Sequence, residues 1–267
     1  MGSNEHKRDD LGGITLKPRL GIFSLTGCGG DQLQILNMED VLLQLFSNFD
    51  IVDFQEGSSR KEEGPIDVAF VEGTVSTSRD LERLRKIRER SKVLIAFGNC
   101  ATDGCIQAMK NDEEDIKGRL MEVYGVEEDF FDARLSKPLS EYIEVEYEIP
   151  GCPVEKDEVL HGVTSLLNGD IPPRYTYPVC VECKLNEYPC VITERNLPCM
   201  GPVVKAGCDA RCPGLGLDCI GCRGPVDEQS NYASELKMLK EKGYDDEFII
   251  NRLRIFSGKL KTLEDGE

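Results

Sequence analysis

The sequence predicts an α/β fold: a flavodoxin-like, doubly wound parallel sheet followed by a small cysteine-rich domain with little regular structure. Two observations carry this. Up to residue 170, short apolar runs alternate with stretches of helical spacing. That is the pattern of strands buried on both faces by crossover helices. Beyond residue 170 the alternation gives way to proline and cysteine, and eight of the twelve cysteines fall in residues 180–222.

The elements follow in order. Residues 19–25 (RLGIFSL) read as a first strand, and TGCGGD after it as a Gly-rich turn. Residues 32–46 carry Leu33, Leu36, Val41, Leu42 and Leu45 at roughly helical spacing and predict one helix. Residues 50–54 and 66–71 (IDVAFV) are the second and third strands, the latter running into EGTVST. Thr77 or Ser78 caps a helix over 79–90, whose alternating charges mark a solvated face. Residues 92–97 (KVLIAF) are the fourth strand, followed by GNCATDG. Residues 110–140 are acidic and weakly patterned, with helical character over 113–124. Residues 142–149 are the fifth strand, ending in PGCP, and 155–167 form a helix. Pro172, Pro173 and Pro178 read as a linker, and 235–240 and 247–256 as closing helices. The expected organisation is a flexible tail (1–17), an α/β domain (18–170), a cysteine-rich domain (171–230) and C-terminal helices with a tail (231–267).

Charge removes several function classes. Lys and Arg number 32 against 49 Asp and Glu, a net charge of −17. Nucleic-acid phosphates and anionic membrane surfaces both call for the opposite sign. No run approaches the ~20 apolar residues of a membrane span. MGSNEHKRDDLGG has neither an apolar signal region nor a twin-arginine pair, so the expected location is the cytoplasm. In a reducing compartment, twelve cysteines point to metal rather than to disulfides.

Cys28 follows the first strand, Cys100 the fourth and Cys152 the fifth. The loops at the carboxyl ends of parallel strands converge at the ligand-binding edge. Three distant thiolates are therefore expected to meet and to need a fourth donor. Asp31 is one candidate, standing where a C-x-x-C turn would place its second thiolate. Cys105 is the other, a softer and better ligand for an iron–sulfur cluster, or else simply a small buried residue. The glycines of the turn allow a bulky inorganic ligand to approach closely. The turn lacks both the G-x-G-x-x-G spacing and a P-loop lysine. A flavin would leave the three cysteines unexplained. Glu72, at the end of the third strand, is a candidate for proton movement, or a partner for a backbone N–H or an arginine.

The other eight cysteines are spaced C-x2-C-x6-C-x8-C-x8-C-x3-C-x6-C-x2-C, enough for two four-ligand sites. Two structural zinc ions fit the count. The lack of histidine in the segment, and Pro178, Pro189, Pro198, Pro202 and Pro213 among the cysteines, favour iron–sulfur clusters. With few long apolar runs, the segment is expected to be held by metal rather than by a core of its own. Lys205 and Arg211 either offset cluster charge or are ordinary surface cations.

The Gly-rich loop, VEGTVST (71–77), GNC (98–100), PGCP (150–153) and PCMGPVVKAGCDARCPGLGLDCIGCRGP (198–225) resemble the small subunit of cytoplasmic NiFe hydrogenases. Within that family the likeness is to the delta subunit of the sulfhydrogenase, NAD(P)-linked type, and runs from about residue 18 to 258. The resemblance implies three 4Fe-4S clusters: a proximal one on Cys28, Asp31, Cys100 and Cys152, with Cys105 the alternative to Asp31; a distal one on Cys180, Cys183, Cys190 and Cys199; and a medial one on Cys208, Cys212, Cys219 and Cys222. Most relatives have cysteine where this chain has Asp31. The resemblance also implies a hetero-oligomer. A large (alpha) subunit would hold the Ni–Fe centre, so that no catalytic residue lies on this chain. An iron–sulfur (beta) subunit and a flavin (gamma) subunit, with FAD, would lead to NAD(P), with sulfur or polysulfide as a further acceptor. Three other readings stand beside it: a deazaflavin (F420)-reducing hydrogenase, a zinc-stabilised scaffold, and a quinone-coupling respiratory subunit. The last shares the N-terminal fold but lacks the eight-cysteine block.

Overall fold

The computed structural model describes residues 17–112, 116–125, 132–170, 172, 174–226 and 232–257. The expected tail over 1–17, apart from residue 17, lies outside them, as do Pro173 of the expected linker and parts of the 110–140 stretch. In chain order the α/β part contains β1 (Arg19–Ser24), α1 (Gly30–Leu36), α2 (Glu39–Ser47), β2 (Asp50–Phe54), β3 (Ile66–Glu72), α3 (Ser78–Arg90), β4 (Ser91–Phe97), α4 (Asn99–Asp103), α5 (Ile116–Tyr124), β5 (Tyr147–Ile149) and α6 (Lys156–Leu167). The rest contains α7 (Val179–Leu185), α8 (Val191–Arg195), α9 (Arg211–Gly214), α10 (Tyr232–Glu241) and α11 (Asp246–Arg254). No helix among the described residues is long and apolar enough to cross a membrane.

All five strands pair in parallel, in the order β2-β1-β3-β4-β5. This is a doubly wound sheet with its switch point between β1 and β3. Ser24 pairs with Glu72, Glu72 with Phe97, and Phe97 with Ile149. That register brings the ends of β1, β3, β4 and β5 level, so the loops that follow share one edge.

Alternate side chains feed two cores. Ile22, Phe70, Ile95, Phe97 and Ile149 meet Ile35, Leu45, Val159 and Val163 of α1, α2 and α6 on one face. Phe23, Val71, Leu94 and Ala96 meet Leu84 and Ile87 of α3 on the other. Helix α3 thus buries a narrow apolar stripe despite its charge. Its start is fixed by Thr77, whose hydroxyl accepts the Asp80 N–H while the Asp80 carboxylate accepts the Thr77 N–H. This is a capping box, which satisfies otherwise orphaned donors.

Three expectations change. The single helix over 32–46 is two helices: Asn37 ends α1, and Met38 is not helical. Met38 is nevertheless buried in the first core, so the apolar spacing runs across the break. The fifth strand is reduced to Tyr147–Ile149; Tyr142, Ile143 and Val145 pack on the second core without joining the sheet. The cysteine-rich segment does bury a core. Val179, Val191, Ile192, Met200, Val203 and Val204 cluster with Leu239 of α10 and Ile249 of α11. These apolar residues are dispersed in sequence and meet only because two later helices cover them.

Candidate metal centres

The loop after β1 turns at Gly29, whose φ of 77° is in the left-handed region that glycine favours, and delivers Asp31 into α1. Glu72, 1% exposed, accepts the Asp31 N–H at 3.4 Å and the Gln32 N–H at 3.3 Å. Its carboxylate therefore caps α1 and acts as a partner for backbone N–H groups. Asp31 is itself buried. Its Oδ1 accepts the Val154 N–H at 2.9 Å, and its Oδ2 lies against Gly98, where a Cβ would overlap it. Burial, reinforced by the charge of Glu72, pushes the Asp31 carboxyl up to about 8. Two carboxylates sharing one dry site raise each other's cost of ionisation.

The loop after β4 is pinned to the loop after β5: the Gly98 N–H donates to Ile149 O at 2.8 Å and the Asn99 N–H to Gly151 O at 2.6 Å. Cys100, Cys105 and Cys152 come together there. The Cys105 thiol adjoins those of Cys100 and Cys152, and Cys100, aided by burial, raises it to about 12; the Cys100 thiol donates to Gln107 Oε1 at 3.2 Å. Cys152 is raised by Cys105, by burial, and by the charges of Asp31 and Glu72. Cys28 is exposed, and its sulfur accepts the Gly30 N–H at 3.4 Å. The structure therefore gathers Cys100, Cys105, Cys152 and Asp31 closely and leaves Cys28 at the rim.

The eight remaining thiols fall into two groups. Cys180 is pushed up to about 12 by burial and then by Cys199, Cys183 and Cys190. The Gly201 backbone lies between the two sulfurs, with both Cys180 and Cys199 Sγ 3.4 Å from where its Cβ would stand. In the other group Cys208 is raised to about 11 by burial, Glu182 and Cys222. Cys222 is raised by burial and by Cys212, and Cys219 by burial, then by Cys199 of the first group and by Cys222 and Cys208 of its own. Thiols that hold each other protonated are poised to lose their protons to metal together. Among the described residues no three His, Cys, Asp or Glu side chains close on the point a single ion would occupy. Soft thiolates are the ligands that iron–sulfur clusters take, and all twelve cysteines are free, so the donor set fits such clusters.

The three groups adjoin one another. Cys152 is close enough to Cys222 to act on its thiol. The Cys219 N–H donates to Cys199 Sγ at 3.2 Å.

Charged residues tie the cysteine-bearing loops to the rest of the fold. Lys205 Nζ lies 3.7 Å from Asp103 of α4, both buried, so Lys205 is not a surface cation. Arg211 is exposed and pairs with Glu155 at 2.5 Å. Arg223, Glu158, Glu182 and Glu235 were not legible as site residues. Glu182 accepts the N–H groups of Gly207 (2.7 Å) and Ala210 (3.1 Å), and the loop carrying Cys208 wraps around it. Positive φ at Gly207, Asp209 and Ala210 makes that wrapping. A usable signal was present for Arg223, an arginine directly following a C-x2-C pair.

Residues 28–166 match the family described as NADH ubiquinone oxidoreductase, 20 Kd subunit. The chain is 44% identical over 239 residues to sulfhydrogenase 2 subunit delta of Pyrococcus furiosus, covering 90% of this chain and 99% of that one. It is 34% identical over 251 residues to a subunit of the F420-non-reducing hydrogenase vhu of Methanocaldococcus jannaschii, covering 80% and 84%. A chain of the solved NAD+-reducing NiFe-hydrogenase in its H2-reduced state superposes with a TM-score of 0.52 at 26% identity, covering 59% of this chain and 94% of that one.

Proposed function

This chain belongs to the family of hydrogenase small subunits, and from that premise we propose that it relays electrons through three 4Fe-4S clusters between a Ni–Fe large subunit and a flavin subunit using NAD(P). The proposed proximal donors are Cys28, Asp31, Cys100 and Cys152. Cys180, Cys183, Cys190 and Cys199 would hold the distal cluster, and Cys208, Cys212, Cys219 and Cys222 the medial one. The observation that carries the reading is that the donor groups adjoin, with the Cys219 N–H donating to Cys199 Sγ at 3.2 Å between the two groups of the cysteine-rich segment.

When bound, the clusters would supply one-electron transfer. This chain's residues supply spacing, a dry environment and compensating charge, the levers that set cluster potential. The sheet edge presents Cys100 and Cys152 beside the Glu72-capped start of α1; buried Lys205 pairs with Asp103 of the helix that bears Cys100, and buried Arg223 bonds the backbones of Ala206 and Pro150. A second proximal set, with Cys105 in place of Asp31, is favoured by the nearness of buried Cys105 to Cys100 and Cys152. Linkage to NAD(P) rather than deazaflavin is supported by relatives described as NAD+-reducing and F420-non-reducing. The proposed partners are the alpha subunit, an iron–sulfur beta subunit and a flavin-bearing gamma subunit, in the cytoplasm.

The test is anaerobic isolation of the native complex, followed by iron and sulfide analysis and an H2-driven screen of NAD, NADP, F420 and polysulfide. Iron and sulfide for three clusters on this chain and reduction of NAD or NADP are expected. Near-zero iron and sulfide would overturn the relay, and reduction of F420 alone would overturn the acceptor.

A further inference from the structure

Arg223 follows Cys222 directly and is 1% exposed. A buried arginine stays charged and needs partners. Its Nε donates to Ala206 O at 2.6 Å, two residues before Cys208. Its Nη1 donates to Pro150 O at 3.0 Å, two residues before Cys152, and pairs with Glu158 Oε2 at 2.8 Å. Tyr175 lies under the guanidinium, 5.9 Å from ring centroid to Cζ. Gly207 makes room for it: its φ is +108°, and a Cβ there would collide with Nη2. The group is thus bolted at once to the backbones that carry Cys152, Cys208 and Cys222.

The two charges come from different sides. Arg223 follows Cys222 in the chain and reaches, through Ala206 O and Pro150 O, the stretches that lead to Cys208 and Cys152. Glu158 belongs to α6 and lines one cavity with Tyr147, Tyr175 and Arg223. The cation is thus the member of the pair held among the cysteine-bearing loops.

We propose that Arg223 is the positioning and potential-setting residue of the middle cluster: its guanidinium, wedged between the loops of Cys152 and Cys208, raises the reduction potential of the cluster on Cys208, Cys212, Cys219 and Cys222. A fixed cation beside a cluster favours the added electron, and the low dielectric of the site strengthens the effect. This rests on the three-cluster reading proposed for the chain.

The experiment is an anaerobic redox titration of the purified complex followed by EPR, with iron and sulfide measured in every sample. The middle cluster is identified as the one whose signal Cys212→Ser alters. Arg223→Gln is expected to lower that cluster's midpoint potential at unchanged iron content while the other two midpoints stay within error. Arg223→Lys, which keeps the charge, is expected to recover part of the shift. An unmoved midpoint in Arg223→Gln overturns the proposal, as does a lysine variant no different from the glutamine one. Should Arg223→Gln fail to assemble, Glu158→Gln decides: it keeps the cation and removes the counter-charge, so the midpoint should rise, and an unchanged value overturns the proposal. Wild-type complex lacking three clusters would instead sink the underlying functional reading.

Discussion

The backbone N–H of Val154 donates to Asp31 Oδ1 at 2.9 Å, joining residues 123 positions apart. Through this bond the first loop of the sheet edge is locked to the last, and the carboxylate is held beside Cys152. Asp31→Ala is expected to abolish the EPR signal of the proximal cluster and remove one cluster's iron, while Cys105→Ala retains both. The reverse pattern would move the fourth ligand to Cys105.

Gly98 has a φ of 83°, and a side chain there would run into Asp31. Strain of this backbone kind costs about 1–3 kcal/mol, before any displacement of Asp31. Gly98→Ala should unfold at lower denaturant than wild type and bind less iron. An iron content equal to wild type would show that the carboxylate can be displaced without consequence.

Glu235 on α10 is buried, and its Oε1 takes no hydrogen bond among the described residues. Burial raises its carboxyl to about 7. Below the ordinary Glu value the group is protonated folded and unfolded alike, so it imposes no penalty. Between that value and about 7 the unfolded chain ionises first, and the folded state loses stability as pH rises. Glu235→Gln should therefore stabilise the protein at pH 8, by on the order of 1–3 kcal/mol, with the gain vanishing towards pH 4. Urea unfolding at both pH values reads this directly.

Phe97 is fully buried and meets Phe70 edge to face at 5.3 Å. Phe97→Ala should cost about 3–5 kcal/mol. Thr77→Ala removes the cap of α3 and should cost about 1 kcal/mol. Equal losses in denaturant titrations would contradict this ranking of core over cap.

Much of the sheet was legible because parallel strands are continuous apolar runs, and residues 66–71 and 92–97 announce themselves by composition alone. The break at Asn37 was hidden because Met38 keeps the apolar spacing while its backbone leaves the helix. Tyr142, Ile143 and Val145 look like strand residues because packing and pairing leave the same mark on sequence. At the site, the loops bearing Cys100 and Cys152 were placed by the strands before them. The closeness of Cys105 to both was not, since its position depends on a turn with φ of 48° that its residue type does not advertise. Arg223 was missed for a different reason: its place after a C-x2-C pair marks it, but the burial of a cation is decided by Pro150 and Glu158, which lie far away in sequence.

Asn99 Nδ2 donates to Phe256 O at 2.5 Å, and Gly104 bridges to Ser257. The helix that bears Cys100 is thus stitched to residues that leave the ribosome more than 150 positions later. During synthesis that pocket stays open until residues 256 and 257 have emerged, and a nascent chain stalled before them would offer its thiols to any passing oxidant.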